Sequence, residues 1–218
     1  MLLCVEEELS KVENLNVQAT DRYDMVTVGY LYRAESGKLI VGSFSADIAV
    51  IKLREPLKFS EAVQAVCLPS NDAQLVDGST KCVIAGWGEM RPSENSTVPN
   101  YPAFLQNAEV TVHKTVENAF AVTLYGKEEA DGLLHSLGTD RTGFCAGDSG
   151  GPLMAESSSS GSRRWYQYGV ISERDSFDVQ IQPCGHSANL HVYTKISKHC
   201  EFIEQATERA VRCLDPSK

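Results

Sequence analysis

The sequence of 218 residues has no long apolar run and no excess of positive charge. None of its hydrophobic stretches approaches the roughly 20 residues needed to span a bilayer, so no membrane partner is expected. The formal net charge is −9, with 20 basic residues against 29 acidic ones. Because nucleic-acid binding depends on clustered Lys and Arg, this balance argues against nucleic acid as a partner.

The sequence also lacks the cysteine spacings that bind metals or carry out redox chemistry. Its seven cysteines include no Cys-x-x-Cys pair, so no metal site and no cofactor are predicted. Seven cysteines are nevertheless many for a reduced cytosolic protein, and they favour a disulfide framework in a secreted one. Asn95-Ser96-Thr97 fits the glycosylation acceptor pattern and agrees with secretion. No secretion signal is visible, since Met1–Val5 runs directly into Glu6–Glu8.

Short apolar segments rich in Val, Ile and Tyr, separated by turn residues, make up most of the chain. These segments are Met25–Tyr32, Lys38–Val41, Ile48–Leu53, Lys81–Ala85, Ala108–Val112, Trp165–Ile171 and His191–Ile196. Many short strands with few helices predict an all-β protein, either a sandwich or a barrel.

Three further segments are assigned from their local patterns. Residues 116–136 are ambiguous, with a short helix predicted around Val116–Leu124. The serine-rich Ser157–Gly161 is predicted to be a loop tip. Apolar residues three or four apart over 197–211 predict an amphipathic C-terminal helix with Ser197 as its cap.

The strongest chemical signal is the ten-residue string Phe144–Leu153, which reads FCAGDSGGPL. Its glycines let the backbone turn sharply and leave amides near Ser149 free to stabilise a developing oxyanion. A Gly-x-Ser-x-Gly pattern alone also matches the nucleophile elbow of α/β-hydrolases. The longer string is more specific, and it resembles the active-site segment of the trypsin/chymotrypsin family of serine proteases.

The resemblance continues in order along the chain. Further matches are Asp47–Leu53, Val66–Pro69, Cys82–Gly88, Tyr168–Ser172 and Val192–Ile196 followed by Phe202–Ile203. It implies two packed antiparallel β-barrels, the first incomplete, with a C-terminal helix. Residues 1–218 would form one peptidase domain: a partial N-terminal barrel at 1–70, a linker at 71–80, a C-terminal barrel at 81–196 and a helix at 197–211.

The resemblance also assigns roles to individual residues of a serine endopeptidase. Ser149 would be the nucleophile, and the amides of Gly147 and Ser149 would form the oxyanion hole. Asp47 would orient the general-base histidine, and Ser172 would hydrogen-bond to Asp47. Asp148 would pair with the new amino terminus that zymogen cleavage releases. Without the resemblance, Asp47 would be assigned as a turn or edge residue that opens a strand, and Asp148 as a simple turn residue.

The general base is missing from this pattern. In the family the histidine precedes the aspartate, whereas all five histidines here follow Asp47. Counting back from Asp47 places Leu3 at the histidine position, with Cys4 beside it. A serine hydroxyl without an adjacent base is a weak nucleophile, and loss of the histidine costs about 10⁶-fold in turnover. The chain as given is therefore predicted to be weakly active or inactive.

Three explanations remain open at this stage. The favoured one is an incomplete copy of an active protease that starts just past the histidine. The second is a non-catalytic pseudoprotease that acts as a binding protein. A remote third is an α/β-hydrolase esterase using Ser149, Asp178 and His191, whose order along the chain would fit.

The substrate pocket departs from the family pattern. Gly143 lies six residues before the nucleophile, at the position of the pocket base, so no preference for Lys or Arg is expected. We expect Arg174 and His191 either to occlude the pocket or to favour an acidic side chain. The alternative is that both are solvated groups on a reshaped loop.

The resemblance also implies disulfides and partners. The resemblance implies a disulfide between Cys145 and Cys184 beside the substrate pocket. Cys82 has no cysteine at the position where the family places its partner. We expect Cys67 to pair with Cys200 or Cys213 near the C-terminal helix. Protein or peptide substrates or ligands are the expected partners of a monomeric, secreted protein.

Overall fold

The structure, a computed structural model, describes residues 23–28, 46–53, 57–61, 63–90, 100–138, 142–159, 162–176 and 189–218. The strands in these ranges are β1 (Tyr23–Val28), β2 (Ala49–Leu53), β3 (Lys81–Gly86), β4 (Gln106–Lys114), β5 (Leu133–Leu137), β6 (Pro152–Ser159), β7 (Ser162–Ser176) and β8 (Asn189–Lys195). The helices are α1 (Ala119–Tyr125), α2 (Lys127–Asp131) and α3 (Cys200–Ala206), with 3₁₀ turns at Thr115–Glu117 and Ile196–His199.

Six strands close into an antiparallel barrel in the order β3-β4-β5-β8-β7-β6. Alternation along β3 turns Cys82 and Ile84 into the core. Strand β8 is buried on both faces, because Val192 packs outside the barrel against a cluster that includes Tyr125 of α1. The all-β prediction with a barrel and a C-terminal helix is confirmed.

Strands β1 and β2 form a separate two-stranded antiparallel sheet. Next to β2, Ile48 packs against Ile196 and Ile203 of the C-terminal turn and helix. Hydrophobic contact therefore holds this sheet, which belongs to the predicted N-terminal barrel, against the C-terminal helix.

Two strands of the barrel were not predicted from the sequence. Strand β6 contains Ser157–Ser159, which the serine-rich pattern assigned to a loop; that prediction is wrong for these residues, because they pair with β7. Strand β5 begins in the ambiguous segment 116–136, for which only a short helix was predicted. The predicted strand Lys38–Val41 lies outside the described residues.

The C-terminal helix is shorter than the predicted span 197–211. It begins at Cys200 and ends at Ala206, and Ser197 lies in the preceding 3₁₀ turn rather than at the cap. Glu208 and Arg209 have φ values of 53° and 62°, a left-handed conformation that ends the helix. The predicted short helix is present as α1, capped by the Asn118 side chain, which accepts from Ala121 N.

The cysteines correct one prediction. Cys200 is bonded to Cys213, so the expected pairing of Cys67 with either of them is wrong. The chain reversal after α3 brings the two Cα atoms within 5.8 Å, across only 13 residues of sequence. Cys67 and Cys145 are also disulfide-bonded, and Cys184 lies outside the described residues. Cys82 is free and buried, and burial raises the pKa of its thiol to about 12.

Candidate active site

The glycine-rich turn around Ser149 is anchored to strand β7. Gly150 N donates to Ile171 O at 2.8 Å, and Ile171 N donates to Gly151 O at 2.8 Å. Gly147 and Gly150 have φ values of 98° and 83°, which glycine adopts without strain. The turn leaves Ser149 exposed at its tip.

The backbone amides near Ser149 are available to a ligand. In the described part of the chain, no protein acceptor binds the N–H of Gly147 or that of Ser149. The carbonyl of Ala146, one residue before Gly147, accepts from Glu89 N at 2.8 Å, which holds the turn in place. This arrangement can bind an anionic oxygen without first breaking a protein hydrogen bond.

Asp148 is held by two backbone amides. Its Oδ1 accepts from Gly88 N at 2.7 Å, and its Oδ2 accepts from Cys145 N at 2.9 Å. A Cβ at Gly86 would lie 2.1 Å from Oδ1, and one at Gly88 would lie 2.3 Å from Cγ. Only glycine therefore fits at either position while the carboxylate stays there.

A solvent-open pocket with about 420 Å³ of empty volume lies beside this carboxylate. Its lining includes Asp148, Gly88 and Phe144. The family resemblance includes Gly86 and Gly88 in a matching segment but does not reveal their contact with Asp148. The Gly-Trp-Gly spacing was the available signal, but it does not say which side chain fills the space.

Asp47 and Ser172 are in contact. Ser172 Oγ donates to Asp47 Oδ2 at 2.7 Å, and Asp47 is exposed. Ser172 directly follows Ile171, the residue that anchors the turn of Ser149. This part of β7 thus brings the two predicted polar residues and the turn of Ser149 together, although they are distant in sequence.

The ladder between β7 and β8 is interrupted next to this point. Its register shifts between Ile171 and Arg174, a bulge that pairs Arg174 with His191. Bulges often lie beside active sites, where they redirect a strand. Backbone pairing therefore places two of the three predicted pocket residues opposite each other, with Arg174 two residues from Ser172.

The predicted pocket residues Gly143 and His191 are in direct contact. The His191 side chain is 0% exposed, and a Cβ at Gly143 would lie 2.2 Å from its Cε1. The ring also contacts Phe144 edge-on, with centroids 4.6 Å apart. His191 is therefore not a solvated loop residue.

The remaining predicted site residues cannot be placed in this geometry. Leu3, Asn95 and Asp178 lie outside the described residues. The esterase hypothesis is wrong, since the turn of Ser149 lies on a closed antiparallel barrel rather than at the edge of a parallel sheet.

An antiparallel barrel that carries a serine in a glycine-rich turn, beside an aspartate–serine pair, defines a chymotrypsin-like serine protease. The family model described as Trypsin matches residues 4–203. The chain therefore belongs to the trypsin-like serine protease family, and it contains a disulfide bond.

Curated relatives and a solved structure agree with this assignment. The chain is 31% identical over 162 residues to Transmembrane protease serine 11G of Rattus norvegicus, covering 74% of this chain and 35% of the relative. It is 30% identical over 172 residues to Testisin of Homo sapiens, covering 76% of this chain and 49% of the relative. The chain thus spans between a third and a half of the length of these relatives.

The structure is similar to that of neuropsin, a serine protease expressed in the limbic system of mouse brain. The TM-score is 0.61 at 23% sequence identity, over 85% of this chain and 70% of that chain, which supports the shared fold. Among the described residues, no helix is long and apolar enough to cross a membrane.

Proposed function

We propose that this chain carries the machinery of a serine endopeptidase, with Ser149 as the nucleophile. The supporting observation is that Ser149 is exposed in a turn that hydrogen-bonds to Ile171. The next residue along the chain, Ser172, donates a hydrogen bond to Asp47. The Ser149 Oγ forms a bond to the peptide carbonyl carbon, the C–N bond breaks, and the amine leaves with the serine proton. Water then hydrolyses the acyl-enzyme and restores the hydroxyl. The amides of Gly147 and Ser149 bind the oxyanion.

The proton transfers in this scheme need a base, which the family supplies as a histidine beside the aspartate. Leu3 stands at that position in the sequence. The exposed Asp47 carboxylate would orient an imidazole, and Ser172 holds it in place. As given, the chain is therefore expected to be weakly active or inactive.

Asp148 is proposed to receive the amino terminus that activation cleavage creates. Its carboxylate lines the solvent-open pocket beside Gly88, so an ammonium group has space to approach it. The two backbone amides that hold the carboxylate at this pocket support the proposal.

A non-catalytic binding homologue is the second candidate. The observation that favours it is that every histidine of the sequence follows Asp47. The oxyanion turn would then bind the carbonyl or carboxylate of a protein ligand without cutting it.

The domain extent, the location, the oligomeric state and the glycosylation of the chain are also proposals. We propose one peptidase domain over residues 1–218 that acts outside the cell as a monomer, with Asn95 as a glycosylation site. The disulfide between Cys200 and Cys213 supports an oxidising compartment.

Labelling with a fluorophosphonate tests the catalytic proposal. The chain as given should react slowly at Ser149, and Leu3→His should react at least about 100-fold faster, because the imidazole restores the general base. Ser149→Ala in the Leu3→His background is the control and should not be labelled. Equally slow labelling of both chains would favour the binding homologue, and fast labelling of the chain as given would show that another base serves Ser149.

A further inference from the structure

His191 occupies the space directly beneath Gly143. Its ring is fully buried, and a Cβ at Gly143 would lie 2.2 Å from Cε1 and 2.6 Å from Nε2. Two aromatic rings enclose this region: that of Phe144 meets the imidazole at 81°, and that of Tyr193 meets Phe144 at 78°. The imidazole is packed against the Phe144 ring and the Gly143 backbone like a core residue.

This buried ring lies next to the catalytic turn. Gly143 precedes Ser149 by six residues, and Asp148 Oδ2 accepts from Cys145 N within the same segment. On its other side, the backbone of His191 pairs with Arg174, two residues beyond Ser172. The ring of His191 therefore lies between the segment that carries Ser149 and the C-terminal part of β7.

We propose that His191 closes the substrate pocket, so that the site accepts only a small side chain, Gly, Ala or Ser, before the scissile bond. This inference rests on the proposed function, because it concerns the substrate of that same site. A residue that lines an open pocket has solvent-accessible surface, whereas His191 has none. A longer side chain would have to occupy the volume that the imidazole fills, and close-packed atoms leave no room for both.

The same contacts favour closure over selection of acidic side chains. An imidazolium that binds a substrate carboxylate must present a ring N–H to an open cavity. The His191 ring is instead 0% exposed and lies against the Gly143 backbone and the Phe144 ring.

Cleavage of a peptide panel tests the proposal, with side chains Gly, Ala, Ser, Glu, Leu, Phe and Arg before the scissile bond. The Leu3→His chain should cleave only the first three peptides. Leu3→His/His191→Gly should gain Leu and Phe cleavage by at least about 30-fold, since loss of contacts worth a few kcal/mol changes selectivity on that scale. Cleavage after Glu, Leu, Phe or Arg by Leu3→His would overturn the inference while leaving the proposed function intact.

A binding measurement separates the inference from the catalytic proposal. If neither chain cleaves any peptide, the proposed function fails, and the closed pocket is tested with 4-methylimidazole. This molecule matches the missing side chain and should raise the melting temperature of His191→Gly but not that of the chain as given. If 4-methylimidazole raises the melting temperature of neither His191→Gly nor His191→Ala, the inference is overturned. If both variants fail to fold, the peptide panel with the Leu3→His chain decides the question.

Discussion

His135 is buried and has a hydrogen-bond partner at each ring nitrogen. The Asn118 side-chain amide lies 3.3 Å from Nε2, and Thr115 Oγ1 lies 3.2 Å from Nδ1. Because Asn118 Oδ1 already accepts from Ala121 N, its NH₂ group donates to Nε2. His135 is therefore neutral, with its proton on Nδ1 donated to Thr115.

Its environment makes the stability of the fold depend on pH. Burial first, and then the stacked ring of His113, lower the pKa of His135 to about 4, against an opposing effect of Asp77. A lowered histidine pKa means that the unfolded chain takes up the proton first. Its contribution to stability is therefore complete above about pH 6.5 and is lost as the pH falls towards 4.

We expect acidification from pH 7 to pH 4 to reduce the free energy of unfolding by on the order of 3 kcal/mol through this residue. Urea denaturation at several pH values should show a smaller loss over the same range for His135→Asn. His113→Asn, at the half-exposed partner of the pair, is the matched control and should keep most of the dependence. An unchanged pH profile for His135→Asn would contradict this account.

At the scale of the secondary-structure elements, strand β8 is tied to the linker that precedes the barrel. Lys195 at the end of β8 is 3% exposed, and its Nζ lies 3.3 Å from Asp72 Oδ2, which is 26% exposed. A buried ammonium left without its partner is costly, whereas replacing a whole buried pair by apolar groups is often tolerated.

The two single variants of this pair should therefore differ. Asp72→Asn, which leaves the buried ammonium of Lys195 without its countercharge, should cost about 3 kcal/mol in chemical denaturation at pH 7. Lys195→Met, which removes the charge and keeps the stem, should cost less, and Asp72→Asn/Lys195→Met should be more stable than Asp72→Asn alone. Asp131→Asn, at the exposed pair with Lys198, is the control and should change stability by less than about 1 kcal/mol. Equal costs for the two single variants would contradict this account.

The strands and helices differ in how accurately the sequence pattern predicts their positions. Strands β3, β4 and β8 alternate or run apolar between turn residues, so local pattern places them within a few residues. Strand β6 has serines in its second half and becomes a strand because β7 pairs with it. The C-terminal helix keeps its apolar period to residue 211, yet the chain reverses at Glu208 and Arg209 to reach the disulfide.

At the scale of the whole molecule, residues 213–216 connect three parts of the structure through hydrogen bonds and a disulfide. Just before the predicted linker, Leu214 N donates to Leu68 O at 2.8 Å and Ser70 N donates to Leu214 O at 2.7 Å. Pro216 O accepts from Ser157 Oγ of β6 at 2.9 Å and from Gln74 Nε2 at 2.6 Å. The disulfide between residues 200 and 213 joins this segment to α3.

Removal of that disulfide should loosen the whole arrangement. Because the bond closes 13 residues, Cys200→Ala/Cys213→Ala should lower the free energy of unfolding by about 3 kcal/mol. The double variant is preferable to a reducing agent, which would also attack the disulfides of Cys67 and Cys145. Ser217→Ala, in the same exposed segment, is the control and should be nearly neutral. Unchanged denaturation of the double variant would show that the hydrogen bonds alone hold the segment.

Sequence by itself determined the β class, the glycine-rich turn of Ser149 and the family, because glycine positions and apolar alternation are local properties. It also named Asp47 and Ser172, but only through resemblance. Tertiary structure decided their contact, the enclosure of Asp148 by Gly86 and Gly88, and the burial of His191 beneath Gly143. These features join residues that are far apart along the chain, so they depend on how the closed barrel brings its strand ends together.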